Sequence, residues 1–185
     1  MAKTPSNMLP LGTQAPGFEL MDIISDKPIK LLDIKSKKAT VIMFICNHCP
    51  YVLHMIDVLT DVASDYKNKG IQFIAINSND VENYPDDSPE NMKIFAEKHH
   101  FTFPYLFDET QNVAKAYDAA CTPDFYVFDN LLHLVYRGQF DESRPGNDIT
   151  VTGKCLKKAL DAILAGEKVS EAQQPSLGCN IKWKM

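Results

Sequence analysis

Two kinds of apolar pattern alternate along the chain. Residues 39–45, ATVIMFI, and 71–76, IQFIAI, are nearly unbroken apolar and β-branched runs, as in strands buried on both faces of a parallel or mixed sheet. Between them, in PYVLHMIDVLTDVASDYKNKG from Pro50 onward, Val52, Ile56, Leu59, Ala63 and Tyr66 fall on one helical stripe. Lys67 and Lys69 stand in its last turn and Gly70 follows as a stop. Strand, helix and strand therefore read as one right-handed crossover unit.

The remaining pattern supplies the rest of a sheet and its cover. FELMDI and KPIKLLDI, joined by ISD, predict an N-terminal hairpin. The polar, proline-punctuated stretch NSNDVENYPDDSPE leads into a helix around ENMKIFAEKHH, with Ser88 as its cap. YLFD predicts a short strand, TQNVAKAYD a short helix, and DFYVFD with LHLVYRG an antiparallel pair turning at Asn130. A last helix carries Val151, Cys155, Leu156, Ala159, Leu160 and Ile163 on one face and ends at Gly166. The tail SEAQQPSLGCNIKWKM has no period and is either an ordered arm or a loose end. This order predicts an α/β three-layer sandwich, a central mixed sheet flanked by helices. We expect a single domain, with residues 1–38 as an N-terminal extension, 39–166 as the core and 167–185 as a tail.

A chain of 185 residues, 45% of them hydrophobic, can build one well-packed core. No apolar run approaches the roughly 20 residues of a membrane span, and MAKTPSNMLPLG lacks the basic and apolar segments of a secretory signal, so a cytoplasmic address is expected. A net charge of -5 without a Lys/Arg cluster argues against nucleic acid or an anionic membrane as partner. The oligomeric state is not legible. Cys46, Cys49, Cys121, Cys155 and Cys179 are odd in number and scattered, so they read as reduced, reactive or buried rather than as a disulfide scaffold.

The candidate chemistry lies in FICNHCPYV, residues 44–52. Cys46 ends a buried strand just before a helix, where free N–H groups and the helix dipole favour a thiolate. Cys49 follows three residues later, close enough to close a disulfide. The division of labour predicted is Cys46 as nucleophile and Cys49 as resolver. His48 between them adds a positive contribution as imidazolium. No metal is expected: a tetrahedral structural site wants four ligands, a second CxxC is missing, and His99, His100 and His133 lie in unrelated elements. The redox-active pair itself is the only prosthetic chemistry foreseen.

Strand, CxxC, helix and strand, followed far along by a Thr-Pro before a strand pair, resemble the thioredoxin superfamily. The blocks LGTQAPGFEL, FICNHCPYV, CTPDFYVFD, YRGQFD and PSLGCNIKWK resemble more closely its redoxin branch, grouped with alkyl hydroperoxide reductase and thiol-specific antioxidant (AhpC/TSA) proteins. The resemblance implies a thioredoxin-like fold with an insert, and a cis Thr122–Pro123 bond facing the cysteines. It leaves the Thr122 backbone free to pair with an extended substrate. It implies a thiol-disulfide oxidoreductase acting on protein or small-molecule disulfides, fed by a thioredoxin or glutathione system. The alternative is a thiol-dependent hydroperoxide reductase; a metal-binding or non-catalytic binding module is a third reading.

The chain also departs from its relatives' patterns. The PxxxTxxC motif of peroxide-reducing relatives would need Ala39 and Met43, or Ile42 and Cys46, to be proline and threonine, though Arg137 could serve as an activating cation. Thr40 stands where thioredoxins keep a buried acid, with His54 and Asp57 on the next helix as substitutes. Asn-His between the cysteines, in place of Gly-Pro, predicts a potential above thioredoxin's, about -270 mV. Cys121 beside Thr122 is a third redox thiol or a buried apolar residue, and Cys155 reads as core packing. Cys179 pairs with Cys121 or Cys46 if the tail folds back.

Overall fold

A computed structural model describes residues 3–184. In chain order the first elements are β1 (Lys3–Pro5), β2 (Glu19–Asp22), β3 (Lys27–Lys30), α1 (Leu31–Ile34), β4 (Ala39–Phe44), α2 (Pro50–Lys67) and β5 (Ile71–Asn77). A 3-10 turn at Pro85–Asp87 precedes α3 (Pro89–Lys98), β6 (Tyr105–Phe107) and α4 (Asn112–Ala116). The chain closes with β7 (Cys121–Thr122), β8 (Asp124–Asp129), β9 (Leu134–Gly138), α5 (Lys154–Leu164) and β10 (Leu177–Asn180).

The buried run at 39–44 lies near the middle of a seven-stranded sheet of order β3-β2-β6-β5-β4-β8-β9. It pairs in parallel with β5 and antiparallel with β8, the mixed sheet foreseen. Because side chains alternate along a strand, Val41 and Met43 face one layer and Ile42 and Phe44 the other. The first layer holds Val52, Ile56 and Leu59 of α2, Met92 and Phe95 of α3, and Leu156 and Leu160 of α5. The second holds Leu31 of α1, Ala114 of α4 and Tyr117. Ser88 caps α3, its hydroxyl accepting the Asn91 N–H at 3.4 Å.

Three segments differ from the hydrophobic pattern. LLDI is not strand: β2 ends its pairing at Glu19 opposite Lys30, so beyond Lys30 the chain has no strand partner and turns helically to bury Leu31. Val151 lies outside α5, because the Thr152 and Gly153 N–H groups donate to Asp141 Oδ2, each at 2.7 Å, and the helix starts only at Lys154. Cys155 is then half-buried rather than in the core, taking a hydrogen bond from Gln139 Nε2 at 3.4 Å.

The tail is an ordered arm. Its strand β10 is the middle of a second sheet of order β1-β10-β7, with Cys179 opposite Thr122 and Asn180 opposite Cys121. Gly178 permits this close pass, since a Cβ there would collide with the Thr122 carbonyl and the Pro123 ring. Ser176 Oγ donates to the Gly138 carbonyl at 2.7 Å and the Ile181 N–H to the Ala120 carbonyl at 3.1 Å, pinning both ends.

The layered core makes a direct prediction. Phe44, fully buried and edge-on to Tyr126 with ring centroids 5.9 Å apart, leaves a cavity when cut to Ala. Phe44→Ala should lower the unfolding free energy by about 3–5 kcal/mol in urea titration. Leu32→Ala, at an exposed side chain, should change it by less than about 0.5 kcal/mol.

Candidate functional site

Cys46 lies just past the end of β4, and the chain enters α2 four residues later. The helix proper starts at Pro50, which leaves Cys49 as its N-cap residue. Both cysteines are buried, at 1% and 0% exposure. Facing them is the cis Thr122–Pro123 peptide bond, as the resemblance implied. Thr122 touches both sulfurs, its hydroxyl 3.2 Å from Cys46 Sγ and its carbonyl oxygen 3.2 Å from Cys49 Sγ.

The tail closes the site. Cys179 Sγ stands 2.9 Å from Cys49 Sγ, so the arm, left open by the sequence, folds back, and it meets Cys49 rather than Cys121 or Cys46. The Thr122 backbone is not free for a substrate strand, because β10 occupies that edge. Cys121 is buried and aims its thiol at the Pro123 carbonyl at 3.7 Å rather than at a sulfur; burial pushes its pKa up.

The charge of the cluster falls on a different sulfur from the one the helix argument favoured. Donors converge on Cys49: the Cys46 thiol, the Cys179 thiol, and the N–H groups of Val52 and Cys179, which together pull its pKa down to about 5 against the cost of burial. Cys46 is pushed up by its hydrogen bond with Cys49, by burial and by the nearby Asp87 carboxylate. One contact works the other way: the Thr122 carbonyl, 3.2 Å from Cys49, favours a protonated thiol there. The contact with Cys46, first, and those with Cys179 and the nearby N–H groups outweigh this and the burial, so the shared charge is placed on Cys49. The helix starts at Pro50, so Cys49 rather than Cys46 is the N-cap residue; its sulfur makes no capping hydrogen bond, but the Val52 N–H in the first turn helps to lower its pKa.

The rim of the site is built from the polar insert. His48 Nδ1 sits 2.8 Å from Asp87 Oδ2, off the line of a hydrogen bond, and its ring lies parallel to Tyr84 at 5.9 Å between centroids. Asp87 is fully buried and accepts the Asn47 N–H and the Asn79 amide, each at 2.7 Å. Contact with Asp87 raises the pKa of His48, and the contacts to His48, Asn79 and Asn47 lower that of Asp87 despite burial. Asp87 thus favours the protonated form of His48, the form the sequence reading invoked, and stands beside it as a counter-ion. Asn79 in turn accepts the Lys182 N–H at 2.8 Å, linking insert and tail. Asp87 and Asn79 carried no signal in the sequence beyond lying in a polar stretch.

Other candidates lie elsewhere. His54 bonds Ser143 Oγ at 2.7 Å and Asp57 bonds His99 Nδ1 at 2.7 Å, so neither serves the sulfurs. Arg137 ties the Leu9 carbonyl and Gln173 at 2.7 and 2.8 Å. Asp124, next to the cis proline, is a buried carboxyl lifted to about 7 by its burial; it accepts the Tyr126 hydroxyl at 2.9 Å. For a metal, Cys46, His48 and Asp87 offer ligand atoms within 4.8 Å of one another, one short of a tetrahedral set.

The profile of the AhpC/TSA family matches residues 11–137, more than half of the chain. The chain belongs to the AhpC/TSA family. No curated protein matches it. Among solved structures, this AhpC/TSA protein is similar to an uncharacterized conserved protein of Geobacillus kaustophilus, with 61% identity, 100% of this chain and 97% of that one covered, and TM-score 0.98. A hypothetical protein of Sinorhizobium meliloti is similar at 45% identity, with 98% of each chain covered and TM-score 0.95. A putative thiol:disulfide interchange protein DsbE of Chlorobium tepidum, at 20% identity, 84% of this chain and 99% of that one covered, and TM-score 0.68, shares the thioredoxin-like fold. Among the described residues, no helix is long and apolar enough to cross a membrane.

The His48–Asp87 pair sets a pH window. A raised His48 pKa contributes stability in full below about 6.5, lost as pH rises through the folded value; a lowered Asp87 pKa contributes in full above about 3.9, lost as pH falls through the folded value. The stability difference between the native protein and Asp87→Asn should therefore be largest between about pH 4 and 6.5. In NMR titration, the His48 pKa of the variant should fall below the native one.

Proposed function

We propose that this AhpC/TSA protein is a thiol-disulfide oxidoreductase working through a reversible Cys46–Cys49 dithiol/disulfide. The observation that carries this reading is that both thiols touch Thr122 just before the cis proline, its hydroxyl at Cys46 and its carbonyl at Cys49, each at 3.2 Å. The proton shared between them passes to Cys49, and Cys46, beside the half-buried rim of Asn47 and His48, attacks a substrate disulfide. One substrate sulfur leaves as thiolate and the other is held in a mixed disulfide. Cys49 gives its proton to the substrate thiolate already released and then attacks Cys46 Sγ, forming the Cys46–Cys49 disulfide and expelling the second substrate sulfur as thiolate. The substrate gains two electrons and the dithiol loses two.

His48, kept cationic by Asp87, stabilises the thiolate form and so favours oxidation of other dithiols by this one. Because β10 fills the strand position at Thr122, substrates that approach over the rim without adding a strand are favoured: small-molecule disulfides and exposed protein disulfides. Electrons come from a thioredoxin or glutathione system of the cytoplasm.

A second reading, thiol-dependent hydroperoxide reduction, is favoured by the Thr122 hydroxyl beside Cys46, a donor that could hold a peroxide oxygen. Both readings are separated by measuring insulin-disulfide reduction and hydroperoxide consumption side by side. Disulfide turnover should drop at least about 100-fold in Cys46→Ser and in Cys49→Ser, with Cys49→Ser accumulating mixed disulfide. Peroxide turnover that depends on one of these cysteines, without disulfide turnover, would overturn the first reading. Equilibration with glutathione should place the potential above about -270 mV; a value at or below that contradicts the role given to His48.

A further inference from the structure

Three sulfurs meet at one point, and Cys49 is the middle one. Its Sγ lies 2.9 Å from Cys179 Sγ, and it shares Thr122 with Cys46, three residues before it, the Thr122 hydroxyl at Cys46 and the Thr122 carbonyl at Cys49. Thiol-disulfide exchange passes through an attacking, a central and a leaving sulfur. Here the central sulfur already has a potential attacker and a potential leaving group in contact with it. Cys121, the other buried thiol nearby, points instead at the Pro123 carbonyl, 3.7 Å away.

Cys179 is held there by more than proximity. Strand pairing fixes it opposite Thr122, Gly178 lets the strand pass over the cis proline, and the Lys182 N–H bonded to Asn79 anchors the arm beyond it.

We propose that Cys179 is a third redox thiol, which takes over the disulfide from Cys46 to form a Cys49–Cys179 disulfide and returns Cys46 to the free state. The inference rests on the Cys46–Cys49 dithiol reading above. In the step, Cys179 Sγ attacks Cys49 Sγ, the Cys49–Cys46 bond breaks, and Cys46 leaves as thiolate. The proton lost by Cys179 is balanced by the one Cys46 takes up. No electrons are exchanged with the outside, since one disulfide replaces another.

The electrostatics favour this order of events. In the reduced site, burial first and then the neighbouring Cys49 sulfur push the Cys179 pKa up to about 12, while Lys182 opposes them. Oxidation to the Cys46–Cys49 disulfide removes the negative charge from Cys49, and with it both contributions of Cys49 to that rise. Cys179 thus becomes a better nucleophile only once there is a disulfide for it to attack. The product stores the oxidising equivalents behind the tail strand and leaves a free thiol at the rim.

The test is disulfide mapping of the full chain. The reduced protein is treated with limiting oxidised glutathione, quenched in acid, alkylated, digested and analysed by mass spectrometry. The expected result is a Cys49–Cys179 peptide together with alkylated Cys46, and only the Cys46–Cys49 peptide in Cys179→Ser. Gly178→Ala, which keeps every sulfur but displaces the strand, should shift the native mixture toward Cys46–Cys49. Finding only Cys46–Cys49 in the native protein overturns the relay and leaves the proposed function standing; a Cys46–Cys179 bridge overturns both, since Cys179 and not Cys49 would then resolve Cys46. Finding no disulfide among the three overturns both.

Discussion

The antiparallel pairing of Leu177–Asn180 with Cys121–Thr122 is the contact on which the site depends. It lays a strand over the cis proline, seals two thiols from solvent, and brings a backbone N–H and a third thiol to Cys49. A buried sulfur anion is tolerated only where donors replace water. The helix start contributes one such donor through Val52, and the tail contributes two. Removing the tail would therefore change the electrostatics of the cysteine pair as well as its exposure.

A second charged unit sits beside the first. His48 and Asp87 stand 2.8 Å apart at the rim of the sulfur cluster, each shifting the other toward its charged form. Asp87 opposes a thiolate at Cys46, while His48 favours charge on the pair, with Cys49 in turn raising its pKa. Asn79 bridges this unit to the tail by donating to Asp87 and accepting from Lys182. The insert and the tail, remote in sequence, thus form one polar frame around the cysteines.

Much of this architecture is legible in the chain itself. The alternating faces of 39–44 and 71–76, the stripe of α2 and the antiparallel pair after Pro123 follow from side-chain periodicity, which local sequence carries directly. Cys46, His48, Cys49 and Thr122–Pro123 come together as the CxxC setting and the family resemblance implied. What local pattern could not supply was long-range pairing. The tail has no period because β10 is a strand of only four residues between two short neighbours. Asp87 lies in a polar insert whose partners are 39 to 40 positions back, and nothing in PDDSPE distinguishes it from Asp86. The location of the charge was missed for a finer reason: with Pro50 as the first helical residue, the free N–H groups serve Cys49, one turn beyond the sulfur that the strand end singled out.

The central claim is that the donors gathered by the helix start and the tail hold one negative charge on Cys49. Ultraviolet thiolate absorbance, followed through a pH titration of the reduced protein and of Cys49→Ser, tests it most directly. The account predicts a single thiolate forming with a midpoint near 5 in the native protein and absent at that pH in Cys49→Ser. A native titration that begins only near the ordinary cysteine value of about 8.5, or an acidic midpoint that survives in Cys49→Ser, would contradict it.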